Sequence, residues 1–341
     1  MRGWITAALL VAVAVNTAAT QGTSFPGRLE SYLTRAVKLT ESERQLLLKG
    51  EPLAKLLPAD ESKEVAVFGA VWVNASMRRY VEALTDIENF ERGGGFKVTK
   101  RISAPPRVED FSALRLPDED LDALRTCKVD ACEVKLGEQA LKRFNTQVNW
   151  GGPDARVAAN TLMQRLAFEY ADAYLGGGNK QLAIYRDSSR PTSVDQEFQA
   201  MVAQMPELTT HMPDIRRYLL DYPAVTLPNS TSFLYWQETA FGLKPTIRLS
   251  HLTIRETADD TVVTSKMLYA SHYFWTGLEL RVLMPDPSRG SGFWFVTVNR
   301  SRSDGLSGLT GKVVRSRVRA EVQEGTLAGL RSMKRRLENQ R

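Results

Sequence analysis

The chain has 341 residues, of which 43% are hydrophobic and 25% are charged. This balance is typical of a globular protein and excludes an intrinsically disordered chain. The net charge of +6 at pH 7 is uneven, because residues 300–341 carry +7 and the preceding residues sum to −1. The basic character therefore belongs to the C-terminal segment.

Residues 1–19 show the three-part pattern of a cleavable signal peptide. Arg2 precedes an apolar run over Trp4–Val15, and small residues follow up to Ala19. A membrane anchor is the alternative, but the run is shorter than the roughly 20 residues that a spanning helix needs. We therefore expect an exported protein, periplasmic or extracellular, whose mature chain begins near Thr20.

The chain has two cysteines, Cys127 and Cys132, with four residues between them. In an exported protein so close a pair predicts a disulfide. The alternatives are two free thiols or half of a zinc site, which needs about four ligands. Because His211, His251 and His272 are all distant in sequence, we expect a disulfide, no bound metal and no cofactor.

The N-terminal part is predicted to pass from helices into a sheet. Residues 20–62 are expected to form a helical segment, in which Thr40 and Glu43 make a capping box. In residues 63–73, both sets of alternating positions carry apolar side chains, so both faces of the predicted strand are apolar. This pattern indicates a central strand of a sheet. Asn74 is expected to cap the helix that follows, and a further strand is expected from residue 96.

Residues 107–222 are predicted to be a mainly helical insertion, and an antiparallel meander follows it. Turn residues separate five strand patterns, and an amphipathic helix over 309–338 ends the chain. Helices segregated from an antiparallel sheet indicate the α+β class. The predicted meander strands are Ser232–Ala240, Thr246–Arg255, Thr261–Ala270, Tyr273–Met284 and Phe293–Arg300.

This order of elements over residues 63–340 resembles the START-like helix-grip (SRPBCC-type) fold. The resemblance implies a sheet that wraps around the C-terminal helix and encloses a deep hydrophobic cavity. The sequence is also similar to a group of exported bacterial proteins that brings no activity to transfer. The stretches that carry this second resemblance are Glu64–Gly69, Ser232–Glu238, Ser271–Trp275 and Val298–Leu306.

Aromatic residues are concentrated in the meander, with eleven of the 29 between Phe233 and Phe295. They could line a ligand cavity, or the sheet could be covered by helices on both faces without a cavity. Arginines after the last strand could hold an anionic headgroup in a bidentate manner, or lie in a solvated loop where one pairs with Asp304. The predicted ligand-binding residues are Tyr235, Tyr269, Tyr273, Trp275, Phe293, Phe295, Arg300 and Arg302.

An enzyme would need catalytic residues, and Glu238, His251 and His272 are the candidates. They have the right chemistry for acid–base work or for a zinc site, but each lies in a different element and no HExxH motif is present. A histidine within a sheet is more often simply hydrogen-bonded, so we expect His272 to be structural. The sequence has no GxSxG, Walker or dinucleotide-binding motif.

The leading hypothesis is an exported, non-enzymatic protein that binds a hydrophobic molecule, with a lipid as the first candidate. An enzyme that uses the same cavity and a cell-envelope structural or interaction protein are the alternatives. The basic C-terminal helix could lie on an anionic membrane surface, whereas export argues against a nucleic-acid partner.

N-terminal sequencing of the exported protein tests the signal-peptide prediction. We expect the mature chain to begin near Thr20, because cleavage follows the small residues that end at Ala19. A mature chain that still carries Met1–Val15 would contradict the prediction.

Overall fold

The computed structural model describes residues 24–93, 95–240, 244–304, 306 and 311–339. The predicted signal peptide, residues 1–19, lies outside the described residues. Within these ranges, none of the helices combines the length and the apolar character needed to cross a membrane.

The described residues form ten β-strands, eight of which make one antiparallel sheet with the order β1-β2-β10-β9-β8-β7-β6-β3. The remaining two, β4 and β5, pair with each other. The strands are β1 (Leu53–Leu56), β2 (Glu64–Val73), β3 (Phe96–Arg101), β4 (Ile184–Tyr185), β5 (Thr192–Ser193), β6 (Ser230–Thr239), β7 (Thr246–Glu256), β8 (Thr261–Ala270), β9 (Phe274–Pro285) and β10 (Phe293–Ser303).

Ten α-helices accompany the strands in the described part of the chain, together with π-helical turns over residues 33–37 and 207–211. This is a mixed α+β structure with a large antiparallel sheet and a C-terminal helix, as predicted. The helices are α1 (Gly27–Tyr32), α2 (Glu41–Leu48), α3 (Met77–Thr85), α4 (Ile87–Phe90), α5 (Asp118–Leu124), α6 (Glu138–Gln147), α7 (Ala155–Gly177), α8 (Val194–Val202), α9 (Pro213–Asp221) and α10 (Gly311–Asn339).

Of three local predictions for the N-terminal part, one is confirmed and two are wrong. The capping box is confirmed, since Thr40 Oγ1 accepts from the Glu43 amide and Glu43 Oε2 accepts from the Thr40 amide. The prediction that Asn74 caps α3 is wrong. The helix begins two residues later, and Ser76 Oγ accepts a hydrogen bond from the Arg79 amide. Residues 53–56, expected to be helical, form β1 because they pair with β2.

Helices cover both faces of the sheet. On one face, which we call the inner face, α3, α4 and α10 pack against side chains such as Val71, Leu252 and Phe295. On the other, the outer face, α1, α2 and the helices of the insertion pack against side chains such as Phe68 and Trp236. Because helices cover both faces of the sheet, its strands can be apolar on both sides without enclosing a cavity.

The C-terminal helix approaches the sheet most closely at a glycine of β2. A Cβ atom at Gly69 would lie 2.8 Å from Thr326 Cγ2, 3.0 Å from Thr297 Cγ2 and 3.1 Å from Leu330 Cδ1. Leu330 and Leu337 are buried in this contact region. A side chain at residue 69 would therefore displace α10.

We expect Gly69→Ala to destabilise the protein by about 1–3 kcal/mol, because it overpacks the contact between β2 and α10. Gly277→Ala is a matched control on the same face, since its Cβ would be close only to the flexible Met267 methyl group, at 3.3 Å, and would meet the Arg300 carbonyl oxygen and Ser301 Cβ at an ordinary 3.5 Å. Denaturant unfolding of both variants measures the difference. Equal stability of the two variants would contradict this account of α10.

Candidate functional site

The predicted ligand-binding aromatics are divided between the two faces of the sheet. Tyr235, Phe293 and Phe295 lie on the inner face and are at most 5% exposed. Phe293 and Phe295 pack around Tyr80 of α3, whose ring centroid lies 5.3 Å from that of Phe295 and 6.4 Å from that of Phe293, whereas the Tyr235 ring centroid lies 6.3 Å from that of Phe233. This end of the inner face is therefore a filled core.

The other predicted aromatics lie elsewhere. Tyr269 faces the insertion, where its ring centroid is 6.2 Å from that of Tyr170 and 6.1 Å from that of Tyr185. Tyr273 lies in the turn between β8 and β9 with a positive φ of 59°, and Trp275 is half-buried at the start of β9. These residues could not be assigned to different faces in advance, because the strand registers are not visible in the sequence.

Arg300 and Arg302 bind protein carboxylates instead of presenting a site for a headgroup. Both point to the outer face and pair with Glu64 of β2, Arg300 through Nη1 and Arg302 through Nε at 3.0 Å. All three side chains are at most 7% exposed. The alternative pairing of Asp304 with an arginine is also not what the structure contains, since Asp304 pairs with Lys135 of the insertion.

The three catalytic candidates are not brought together. His272 Nε2 donates to Asp120 of α5 at 2.8 Å, and both side chains are at most 4% exposed. Glu238 lies 3.4 Å from Lys97 Nζ. The residue of β7 that pairs with Glu238 lies four residues before His251. Glu238 and His251 are therefore separated by roughly 13 Å along the strand. His272 therefore connects the sheet to the insertion.

Cys127 and Cys132 lie at disulfide-bonding distance, with 2.05 Å between their sulfur atoms. Asp130, inside the loop that they close, binds Arg186 through two hydrogen bonds of 2.6 and 2.8 Å. No group of three or more metal-ligating His, Cys, Asp or Glu side chains occurs in the described ranges.

Many basic residues of α10 already have partners within the protein. Arg317 pairs with Glu321 on the same helix, and Arg319 pairs with Glu61. Lys334 and Arg336 donate to backbone carbonyls beside β2 and in α4. Much of the positive charge counted in the sequence is therefore used to attach α10 to its neighbours.

A small cavity lies on the outer face, between the α1 region and the sheet. Its volume is about 40 Å³, and its lining includes Tyr32, Glu207, His211, Leu280 and Val296. A water molecule needs at least about 10–15 Å³, so the cavity has room for roughly three waters. It does not have room for a lipid.

Solvent reaches the middle of the inner face at β9 and β10, although both strands are paired on each side. Asn299 is exposed, Ser301 is half-buried, and the Glu279 side chain retains 28% of its exposure. Leu278 and Val298, which point from the same strands to the outer face, are each 1% exposed. We call this open part, formed by Glu279, Asn299 and Ser301, the inner cleft.

An ion pair forms the floor of the inner cleft. Arg281 donates to Glu279 from Nε at 2.8 Å and from Nη2 at 2.6 Å, and it also contacts Glu91, the residue that follows α4, at 3.3 Å. Burial alone would raise the pKa of Glu279, but the Arg281 guanidinium outweighs it and holds this pKa below its usual value. The carboxylate therefore remains ionised at neutral pH.

The network continues from the cleft towards the edge strand β3. Glu91 accepts a hydrogen bond from the Gln237 amide, whose oxygen accepts from Arg248 Nη2 at 3.0 Å. Tyr235 and Ser265 share a hydrogen bond of 2.7 Å between their hydroxyl groups. A continuous chain of polar contacts thus links Glu279, Arg281, Glu91, Gln237 and Arg248 across this face.

Glu279, Arg281 and Asn299 are not among the site residues predicted from the sequence. A signal was present, because Glu279 and Arg281 are two residues apart in an otherwise apolar strand and must share a face. An acidic and a basic residue on one face of a central strand indicate a polar site within the fold.

Helix geometry places an apolar stripe of α10 beside the inner cleft. Arg336 contacts the carbonyls of Asn89 and Phe90 in α4, on the side of α10 that faces the cleft. Val318 precedes Arg336 by 18 residues, or five turns, and therefore projects from the same side. Val318 and Val322 are both half-buried.

No protein-family model matches the sequence, and no curated protein matches it. Among solved structures, the Mll3558 protein from Rhizobium loti is similar to 40% of this chain and 89% of its own, with 14% identity and a TM-score of 0.18. A likeness this weak supports no argument about fold or function.

The contact of His272 with Asp120 predicts a structural effect of mutation. Asp120→Ala leaves a buried imidazole without its acceptor, so we expect a loss of about 1–3 kcal/mol in unfolding free energy. Asp118→Ala is the matched control in the same helix, because Asp118 is 88% exposed and forms only a surface pair with Arg156. Chemical denaturation of both variants measures the effect, and equal stability would contradict the structural role.

Proposed function

We propose that this protein is an exported, non-enzymatic binding protein that holds an amphipathic, lipid-like molecule in the inner cleft. The supporting observation is the exposure of Asn299 and Glu279 in the centre of a sheet whose strands β8, β9 and β10 are otherwise mostly buried. Ligand sites in proteins typically place a few polar side chains at defined positions within a mostly apolar surface.

The element order supports a helix-grip arrangement as part of this proposal. Strand β2 is followed by α3 and α4, then by β3, and after the insertion by the five-stranded meander and α10. The contact of α10 with β2 at Gly69 leaves β9 and β10 beside the helix rather than beneath it. A ligand could therefore lie between the side of α10 and the sheet.

The side chains of the cleft define the chemistry of the ligand. Asn299 and Ser301 offer both donors and acceptors, and the Glu279 charge is balanced by Arg281. A polar but uncharged group, such as a hydroxyl or an amide, fits this floor without leaving an unpaired charge. Val318 and Val322 would contact the apolar part of the molecule.

The arrangement supports binding rather than acid–base chemistry. Glu279, the one carboxylate in the defined cleft, is paired with Arg281 and held ionised, so it is a poor proton donor at neutral pH. His251 and His272 are directed to the outer face and to the insertion. An enzyme would need a titrating group in the cleft.

Mass spectrometry of organic extracts from the protein, purified from its native compartment, tests the proposal. We expect a stoichiometric amphipathic molecule in the wild type and its loss in Asn299→Trp, because the indole would fill the cleft. Val157→Trp is the control, since it adds the same ring to a helix position that is 67% exposed. Equal retention by both variants, or an empty wild type with hydrolase activity, would overturn the proposal.

A further inference from the structure

A lysine is buried on the outer face, where the helices of the insertion meet the sheet. Lys266 of β8 is 1% exposed. Its Nζ donates to Asn179 Oδ1 at 2.5 Å and to the Leu219 carbonyl of α9 at 3.4 Å, and lies 4.2 Å from the Phe198 ring centroid of α8. Among the described residues no carboxylate forms an ion pair with this amine.

A buried histidine lies beside the lysine. His251 of β7 pairs in register with Lys266 and is 4% exposed. Its Nδ1 shares a hydrogen bond of 3.0 Å with the Tyr174 hydroxyl, while Nε2 has no hydrogen-bond partner in the described part of the chain. The titratable side chains around the pair are Tyr174 of α7, Asp195 of α8, Tyr218 of α9 and Tyr222.

We propose that Lys266 and His251 form a pH-operated latch, in which protonation of the pair releases α8 and α9 from the outer face of the sheet. The geometry supports this because α8, α9, the end of α7 and the turn after it supply the groups that contact the two side chains. Two adjacent positive charges with no carboxylate in contact would be costly in a closed site.

The direction of the pH dependence follows from burial. Burial lowers the pKa of Lys266 to about 7, and burial together with the Lys266 charge lowers the pKa of His251 to about 3. In the open form both side chains meet water and return towards 10.5 and 6.5. The open form binds more protons between pH 7 and 10.5 and between pH 3 and 6.5, so the closed form loses stability as the pH falls through each window.

The size of the effect follows from the same values. Between pH 9 and pH 5 the opening equilibrium constant rises by at most on the order of 10³-fold. Most of the change above pH 7 comes from Lys266, and most of the change below pH 7 comes from His251. The Tyr174, Tyr218 and Tyr222 hydroxyls stay protonated throughout, because burial raises their pKa values.

Amide hydrogen exchange of residues 194–202 and 213–221 between pH 5 and pH 9, corrected for intrinsic rates, tests the latch. In the wild type we expect the opening constant to rise steeply on acidification. Lys266→Met should lose the rise between pH 9 and pH 7, which is on the order of 50-fold, and retain the part due to His251. His251→Phe should lose the rise below pH 7 and retain the part due to Lys266.

Lys135→Met is the matched control. Lys135 is also buried, but it is paired with Asp187 and Asp304, so its removal should lower stability and leave the pH profile of α8 and α9 unchanged. A Lys266→Met profile equal to that of the wild type would overturn the proposal. The wild type alone also tests the proposal. If the corrected amide hydrogen exchange of α8 and α9 does not depend on pH, the proposal is overturned.

Discussion

Coverage of the sheet on both faces is the constraint on which the rest of the structure depends. All ten residues of β2 are buried, so its charged residue needs a partner inside the protein. That residue, Glu64, binds Arg300 and Arg302, and on the inner face Glu279 binds Arg281 in the same way. Pairing of charges within the fold follows directly from the lack of a fully solvated face.

The buried polar pairs also determine where the insertion docks. His272 of the sheet region binds Asp120 of α5, and Arg302 of β10 binds Glu197 of α8 at 2.7 Å. Replacing a buried pair with apolar residues is often neutral for stability, whereas removing one partner is costly. These contacts therefore act mainly on specificity, because a shifted insertion would leave each of them incomplete. Apolar packing supplies the general attraction between the two layers.

The strands of the meander were predictable because turn residues separate them and their apolar runs have strand length. Their observed ends differ from the predicted ends by at most three residues. Strand β1 was not predictable in the same way, since it has only four residues and depends on pairing with β2. Local sequence patterns thus identify strands that are long enough to show an apolar run bounded by turn residues.

The site was much less predictable than the strands. The partner of His272 lies 152 residues earlier, and several acidic residues near it were equally plausible in the sequence. The faces on which the aromatics lie were not predictable, because register and layer coverage decide which face a residue meets. The exposure of Asn299 depends on where α10 crosses β2, which no local pattern contains.

The inner cleft and the outer latch are separated by a single layer of backbone. Ser265 and Lys266 are consecutive in β8 and point to opposite faces, so Ser265 joins the inner network while Lys266 meets α8 and α9. At this position β8 is paired with β7 on one side and β9 on the other. Since α8 and α9 contribute no strand to the sheet, their release leaves both ladders intact. Ligand binding in the inner cleft and protonation on the outer face can therefore be measured separately.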